Sequence, residues 1–393
     1  MSRKKVAVVV DKMIYGGIER VCIDYLKIFK NLDYDVDVFV LDKETEAIIK
    51  EAEELATVRI LNFSRFQCPE FYWKVAERKL FGKYLFPFMY LVVSIVMQMR
   101  KLFFRLGNRT KYDTAIAFSG HINDLTFVAH NFIKTNKKVA WLHGALYSYI
   151  LGSKGYMPLY NRIKNLVVLV EDAQEETLIY NPTLNVHIKK LYNPISIAER
   201  EVDPKIVEEL KSKYGNFLIM VSRFLYPHKD HETVVKAMQH VADKNPNIKV
   251  LFIGDGPDFG KVKKQVADSN LQKQVIFMGT RGDVQNFYAA CYGVVHASVA
   301  GEGLPTVILE GYSFAKPVIC TDSKVGPREI MKNNEFGILC EVQNDEQFAK
   351  EILRLYEEPE RHDHYAKMGT IRIKDFKPEV IEKQWQDIYR DLV

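Results

Sequence analysis

The 393-residue chain is 47% apolar and 27% charged, an ordinary globular balance that excludes a disordered or collagen-like polymer. Its 55 Lys/Arg against 50 Asp/Glu leave a net +5, too small an excess for a dedicated nucleic-acid binder. At roughly 100–200 residues per domain the length predicts two domains. Cys22, Cys68, Cys291, Cys320 and Cys340 are scattered without C-x-x-C spacing, which predicts a reducing compartment rather than a disulfide framework.

In chain order, Val6–Val10 is too short for a signal peptide and is followed at once by Asp11 and Lys12, so it reads as a buried first strand. Tyr15-Gly16-Gly17 turns into a helix whose Ile18, Val21, Cys22, Tyr25, Leu26 and Phe29 repeat at three and four. Further strands are expected at Val36–Leu41, Thr57–Leu61, Thr114–Phe118, Lys138–Leu142, Leu166–Val170 and His187–Leu191. Asp35 and Asp37 formally make a D-x-D pair, but strict alternation reads them as an exposed strand edge, and no metal site is expected. Asn193-Pro194 breaks the pattern, and a charged stretch with Pro204 follows. The boundaries expected are a first domain at 1–195, a linker at 196–215 and a second domain from 216 to 375. Strands restart at Phe217–Val221, Lys249–Ile253, Val275–Met278, Val294–Ala297, Val318–Thr321 and Gly337–Leu339. Apolar runs alternating with helical patterns predict an α/β chain of two tandem, doubly wound, Rossmann-like domains facing across a cleft.

Residues 72–111 interrupt the alternation. They hold nine Lys/Arg and one acidic residue, a local +8 that leaves −3 for the rest. Lys83, Arg100, Lys101 and Arg105 are interleaved with Phe86, Phe88, Phe103 and Phe104. Basic residues beside an apolar, aromatic stretch suit an anionic membrane surface; helices packed on the first domain with a solvated basic face are the alternative. Tyr84–Met99 is sixteen uncharged residues, short of the roughly 20 a spanning helix needs, so a spanning protein is not expected.

Four segments carry chemistry. Gly301-Glu302-Gly303-Leu304-Pro305-Thr306, ending in Glu310 on a helix, follows a strand. Its glycines permit close backbone approach, its helix start favours a diphosphate, and its two carboxylates suit different hydroxyls of an extended sugar-containing ligand. Dipole stabilisation by Glu302, with Glu310 exposed, is the plainer alternative. Arg223 and Lys229 share an exposed strand-to-helix loop, placed to neutralise a leaving diphosphate, unless the loop is simply solvated. Gly16-Gly17 lets phosphate near a helix N-terminus but is not G-x-G-x-x-G, so no dinucleotide cofactor is indicated. His143 ends a strand in Trp-Leu-His-Gly. Ile-Gly-Asp-Gly-Pro at 253–257 is a sharp turn that demands no chemistry.

Together these segments resemble the family 4 glycosyltransferases, which retain anomeric configuration and have the two-Rossmann-domain GT-B fold. The resemblance runs from Gly-Gly-Ile-Glu-Arg through Trp-Leu-His-Gly, Asn-Pro-Ile, Ser-Arg…Lys, Ile-Gly-Asp-Gly-Pro and the Glu302…Glu310 spacing to Lys-Pro-Val-Ile-Cys-Thr-Asp. Asp230, where the family often has Gly, and His296, where many members have a small or apolar residue, depart from it. The resemblance implies a nucleotide-diphosphate sugar donor, UDP-linked, used without metal or other cofactor. Gly16 and Gly17 would approach the diphosphate, and Arg223 and Lys229 its oxygens. Glu302 would bind donor-sugar hydroxyls, Gly303, Leu304, Pro305 and Thr306 sugar and phosphate through their backbone, and Glu310 the ribose. His143 would lie near the transferred sugar, and residues 376–393 would cross back to the first domain. The acceptor would be a glycan or polyprenyl-linked glycan at the cytoplasmic face of a bacterial plasma membrane, for surface-polysaccharide synthesis. A nucleotide-sugar epimerase of the same architecture, or a catalytically silent sugar-binding protein, is the alternative.

Overall fold

The computed structural model describes residues 3–14, 16–45, 48–76, 82–144, 154–172, 184–299, 302–323 and 326–392. The chain divides into two compact units, Met1–Pro194 with Pro378–Val393, and Ile195–Lys377. Each is built on a parallel sheet.

In the first unit, β1 (Lys5–Val10), β2 (Asp35–Val40), β3 (Thr57–Ile60), β4 (Lys111–Ala117), β5 (Lys134–Leu142), β6 (Asn165–Val168) and β7 (His187–Lys190) lie in the order β3-β2-β1-β4-β5-β6-β7. β1 reads as a continuous apolar run because helices cover both faces of such a sheet; Val6 to Val10 are all buried. Its register pairs Val6 with Val36 on one side and Thr114 on the other. Helix Gly17–Asn31 presents Val21, Cys22, Tyr25, Leu26 and Phe29 inward. The last helix, Pro378–Asp391, belongs to this unit. Its buried Trp385 stacks 5.5 Å from Trp141 and lies 5.5 Å from Phe29, and Thr114 Oγ1 donates to Tyr389 Oη at 3.2 Å.

Asp37 is a correction. It is 3% exposed, because β3 pairs outside β2 and makes it an interior strand. Its carboxylate accepts from the Tyr112 hydroxyl and pairs with Arg59 at 3.5 Å. A carboxylate satisfied this way is a structural group, and Asp35 is held separately by Lys5 at 2.7 Å.

The second unit orders β8 (Phe217–Val221), β9 (Lys249–Ile253), β10 (Val275–Gly279), β11 (Gly293–His296), β12 (Val318–Thr321) and β13 (Ile338–Cys340) as β10-β9-β8-β11-β12-β13. Leu218, Met220, Val250, Phe252, Val295 and Ile319 form its centre. The stretch expected as a linker, 196–215, contains a helix of this unit, Pro204–Tyr214. Asp203 caps it by accepting from the Lys205 N–H at 2.9 Å, and Pro204 at the first turn supplies a preset φ. The Asp203 N–H in turn donates to Asn286 Oδ1 at 2.8 Å.

Candidate functional site

In the second unit the chain leaves β8 toward β9 on one side and β11 toward β12 on the other. Ligands of open α/β sheets bind beyond the carboxyl ends of the strands at this reversal. Two loops meet there. The Asp230 N–H donates to Ala297 O at 2.8 Å, and the Val299 N–H to Pro227 O at 3.0 Å. The 254–257 turn holds the first loop from behind. Gly254 has φ +142°, and a Cβ there would strike the Ser222 carbonyl; a Cβ on Gly256 would strike the Phe224 backbone. The turn expected to demand no chemistry therefore fixes the loop that carries Arg223 and Lys229.

Lys229 and Glu302, 73 residues apart, form an ion pair between these loops. The loop is less open than expected at this end: the Lys229 side chain is 21% exposed and that of Glu302 9%. His296 of β11 is fully buried, with Nε2 3.2 Å from Glu302 Oε1 and 3.5 Å from Lys229 Nζ. Burial pushes the Glu302 carboxyl up, but Lys229 and His296 outweigh it and hold it down at about 2. Burial and the neighbouring Lys229 lower the His296 imidazole below its ordinary value, against the pull of Glu302. Beside them His231, stacked 3.9 Å from Phe224, is held at about 3 by burial and by His296 and Lys229. Arg223 is exposed and has no polar side-chain partner among the described residues.

Gly303, Leu304 and Pro305 are buried and lead into helix Thr306–Ser313. Gly326 packs on the Gly303 carbonyl so closely that a Cβ would collide with it. Glu310, four residues into the helix, is half-buried and accepts from the Tyr288 hydroxyl at 2.6 Å. Gly301 lies outside the described residues.

In the first unit, Gly16 precedes helix Gly17–Asn31 and leaves room for the Glu19 carboxylate, which a Cβ would displace. His143 Nε2 is 2.7 Å from the Phe118 carbonyl, and burial lowers its imidazole to about 4. It is therefore neutral, donates through Nε2–H and keeps Nδ1 as an acceptor. A cluster that the sequence reading passed over surrounds Asp11. It is 3.1 Å from His121 Nδ1 and accepts from Asn123, while burial raises the adjacent Asp124 to about 7. Nothing in the sequence spacing links Asp11 to residues 110 positions later; only the pairing of β1 with β4 does. Among the described residues no three His, Cys, Asp or Glu side chains are grouped to hold a metal ion.

Residues 82–107 form one helix, Gly82–Gly107. It is ten residues longer than the uncharged stretch, because Arg100, Lys101 and Arg105 continue it. By length and composition it is long and apolar enough to cross a membrane, with 6% of its most apolar window buried. Tyr84, Phe88, Leu91, Ile95, Met99, Leu102, Phe103 and Leu106 are exposed, a stripe at three- and four-residue spacing that faces solvent. The opposite side docks. Met97 is buried, Phe104 packs 5.1 Å from Phe127, Phe86 lies 5.2 Å from Trp73, and Arg100 donates to the Asn62 carbonyl at 2.8 Å. Lys101 and Arg105 are half-buried; the Lys83 side chain lies outside what is described. A cavity of about 340 Å³ opens between this helix, the loop after β3 and helix Ile122–Ala129, lined by Phe63, Phe103, Phe104, Phe127 and Phe132.

Residues 202–372 match the family described as glycosyl transferases group 1. The chain is 23% identical over 385 residues, 95% of its length and 96% of the relative's, to the Campylobacter jejuni N-acetylgalactosamine-N,N'-diacetylbacillosaminyl-diphospho-undecaprenol 4-alpha-N-acetylgalactosaminyltransferase. Among solved structures it resembles HepE from Anabaena in complex with UDP and glucose, with TM-score 0.75, 21% identity, and 99% and 100% of the two chains covered. It also resembles the lipopolysaccharide outer core galactosyltransferase WaaB, with TM-score 0.69, 19% identity, and 99% and 100% covered. These likenesses show the two-sheet GT-B fold across the whole chain.

Proposed function

We propose that this chain, whose residues 202–372 match the family described as glycosyl transferases group 1, moves a sugar with retention from a UDP-linked donor to a lipid-linked glycan during bacterial surface-polysaccharide synthesis. The observation that carries the reading is the arrangement at the β8/β11 reversal: an exposed Arg223, a buried and ionised Glu302 held by Lys229, and the start of helix Thr306–Ser313. Breaking the bond between the anomeric carbon and the diphosphate leaves positive charge on the sugar and negative charge on the departing group. Arg223, Lys229 and the N-terminal end of helix Thr306–Ser313 are preorganised cations and a dipole for that leaving group. Glu302 accepts from donor-sugar hydroxyls and Glu310 from the ribose. The acceptor hydroxyl attacks from the leaving-group face, and its proton passes to the departing phosphate.

The lipid-linked acceptor is supported by the activity of the Campylobacter relative and by the solvent-facing apolar stripe of helix Gly82–Gly107. Because Met97, Phe104 and Arg100 tie this helix to its unit, we read it as lying in the headgroup layer of the cytoplasmic leaflet rather than spanning it. The test is a melting-temperature panel with UDP and UDP-sugars, followed by transfer to a polyprenyl-diphosphate glycan. A bound donor raises the melting point by mass action. Stabilisation by a donor with UDP release supports the reading; sugar isomerisation without UDP release indicates the epimerase, and binding without either reaction the silent protein.

A further inference from the structure

Resting on that donor-site reading, we propose that His296 is a positioning residue for Glu302: its Nε2–H holds the carboxylate in place once a donor diphosphate draws Lys229 away. Lys229 is asked to do two things. In this structure it pairs with Glu302; during transfer it serves phosphate oxygens. A second protein donor to the same carboxylate oxygen, in place before the sugar hydroxyls engage, lets the lysine move without leaving a buried charge unpaired, which is costly. His296 Nε2, 3.2 Å from Oε1, is that donor.

The tautomer follows from the surroundings. Nε2 lies near both the ammonium and the carboxylate and cannot accept from one while donating to the other. Nδ1 is buried with no hydrogen-bond partner among the described residues. With Lys229 already bonded to Oε1, a proton on Nε2 reaches the carboxylate and leaves only a lone pair unmatched at Nδ1. The opposite tautomer would bury an N–H without an acceptor and turn a lone pair toward Oε1. His296 also sits at the end of a strand whose other residues, Gly293, Val294 and Val295, are small or apolar, a place where an imidazole needs such a partner. Among the described residues the other titratable neighbours are the buried Cys320 thiol of β12 and His231 beside His296 and Lys229. Burial raises the one and lowers the other, so both are uncharged at neutral pH and neither replaces the hydrogen bond.

The experiment measures UDP release from whichever of UDP-glucose, UDP-galactose and their N-acetyl forms the wild type hydrolyses fastest. His296→Leu and His296→Met remove the donor; His296→Gln keeps an N–H near the Nε2 position. The apolar variants should lower kcat at least roughly five-fold with donor KM changed less than about three-fold, a loss confined to the transition state. In them the acid limb of kcat should move up toward neutral pH, because the carboxylate loses the donor that keeps it ionised. His296→Gln should restore kcat to within about three-fold of wild type. A loss under five-fold in whichever apolar variant folds, an unmoved acid limb, or a Gln variant as slow as the apolar ones overturns the proposal. Lys229→Ala and UDP binding are measured alongside. If the wild type neither binds UDP nor hydrolyses any of these donors, the donor-site reading itself fails.

Discussion

At the scale of single residues, the Lys229–Glu302 pair decides most of what can be tested. Lys229→Ala should cut turnover at least 100-fold, roughly 2.7 kcal/mol at 1.36 kcal/mol per decade. It should also lower the melting temperature, since a buried carboxylate left with one donor costs about 1–3 kcal/mol. Unchanged turnover would remove the phosphate role, and unchanged melting would remove the structural one. Glu302→Gln should depress kcat, whereas Glu310→Gln should mainly raise donor KM, because ribose contacts form equally in ground and transition states; the reverse split would exchange their places along the donor. The folded Glu302 carboxyl is held at about 2, below its ordinary 4.5. A depressed carboxyl stabilises the fold above its unfolded value and loses that contribution as pH falls through the folded one. Urea titrations between pH 4.5 and 2 should therefore show wild type losing more stability than Glu302→Gln. That Glu302 lies in a loop after a strand, Glu310 on the helix that follows and Lys229 in a strand-to-helix loop was legible from the alternation of apolar runs and helical patterns. Their pairing was not, because it depends on β8 and β11 being neighbours, and His296 showed only as an unexpected residue at the end of an apolar strand.

Among elements, the strands were the most readable feature, because a parallel strand covered on both faces is an uninterrupted apolar run. Alternation misled at β2, where Asp35 and Asp37 mimic a half-exposed strand although β3, Tyr112 and Arg59 bury and satisfy the second carboxylate. The 196–215 stretch misled for a related reason. Its charges mark the outer face of helix Pro204–Tyr214, whose Leu210 and Tyr214 are buried. Asp230 shows how an element positions the site. It caps helix His231–Lys244 by accepting from the Thr233 N–H at 3.1 Å and hydroxyl at 2.6 Å, while its own N–H holds the β11 loop. At the position where the sequence resemblance implies Gly, this chain thus has a cap next to Lys229. Asp230→Ala should cost about 1 kcal/mol of stability, read in urea, and should lower kcat by displacing Lys229. Asp230→Asn keeps an oxygen acceptor and should recover most of the stability; equal losses in both variants would mean the charge rather than the cap is what matters.

For the molecule as a whole, the question is what covers an apolar stripe left open to water. Soluble monomers rarely expose a contiguous apolar patch of several hundred Å². Here Phe88 and Phe103 are 66% and 67% exposed on one helix face, and the surrounding 72–111 stretch carries +8 against −3 elsewhere. Apolar insertion and attraction to anionic lipid act together in such a helix. Burying a large side chain contributes about 1.5–3 kcal/mol, and each basic residue near an anionic leaflet about 1 kcal/mol, screened beyond a Debye length of about 8–10 Å. Salt should weaken only the second part. The protein should therefore co-sediment with phosphatidylglycerol-containing vesicles, less so at 0.5 M salt but still measurably. Arg100 is a poor choice for charge reversal, since it donates to Asn62 and its loss would disturb the fold. Lys101→Glu with Arg105→Glu should remove the salt-sensitive part, and Phe88→Asp with Phe103→Asp the salt-resistant part. Both pairs should leave UDP-sugar hydrolysis near wild type, because none of the candidate donor-site residues lies on this helix, while slowing transfer to a polyprenyl-linked acceptor presented in vesicles. Wild-type protein that stays in the supernatant at low salt would show that the stripe meets something other than lipid, and the acceptor would then be sought among soluble glycans.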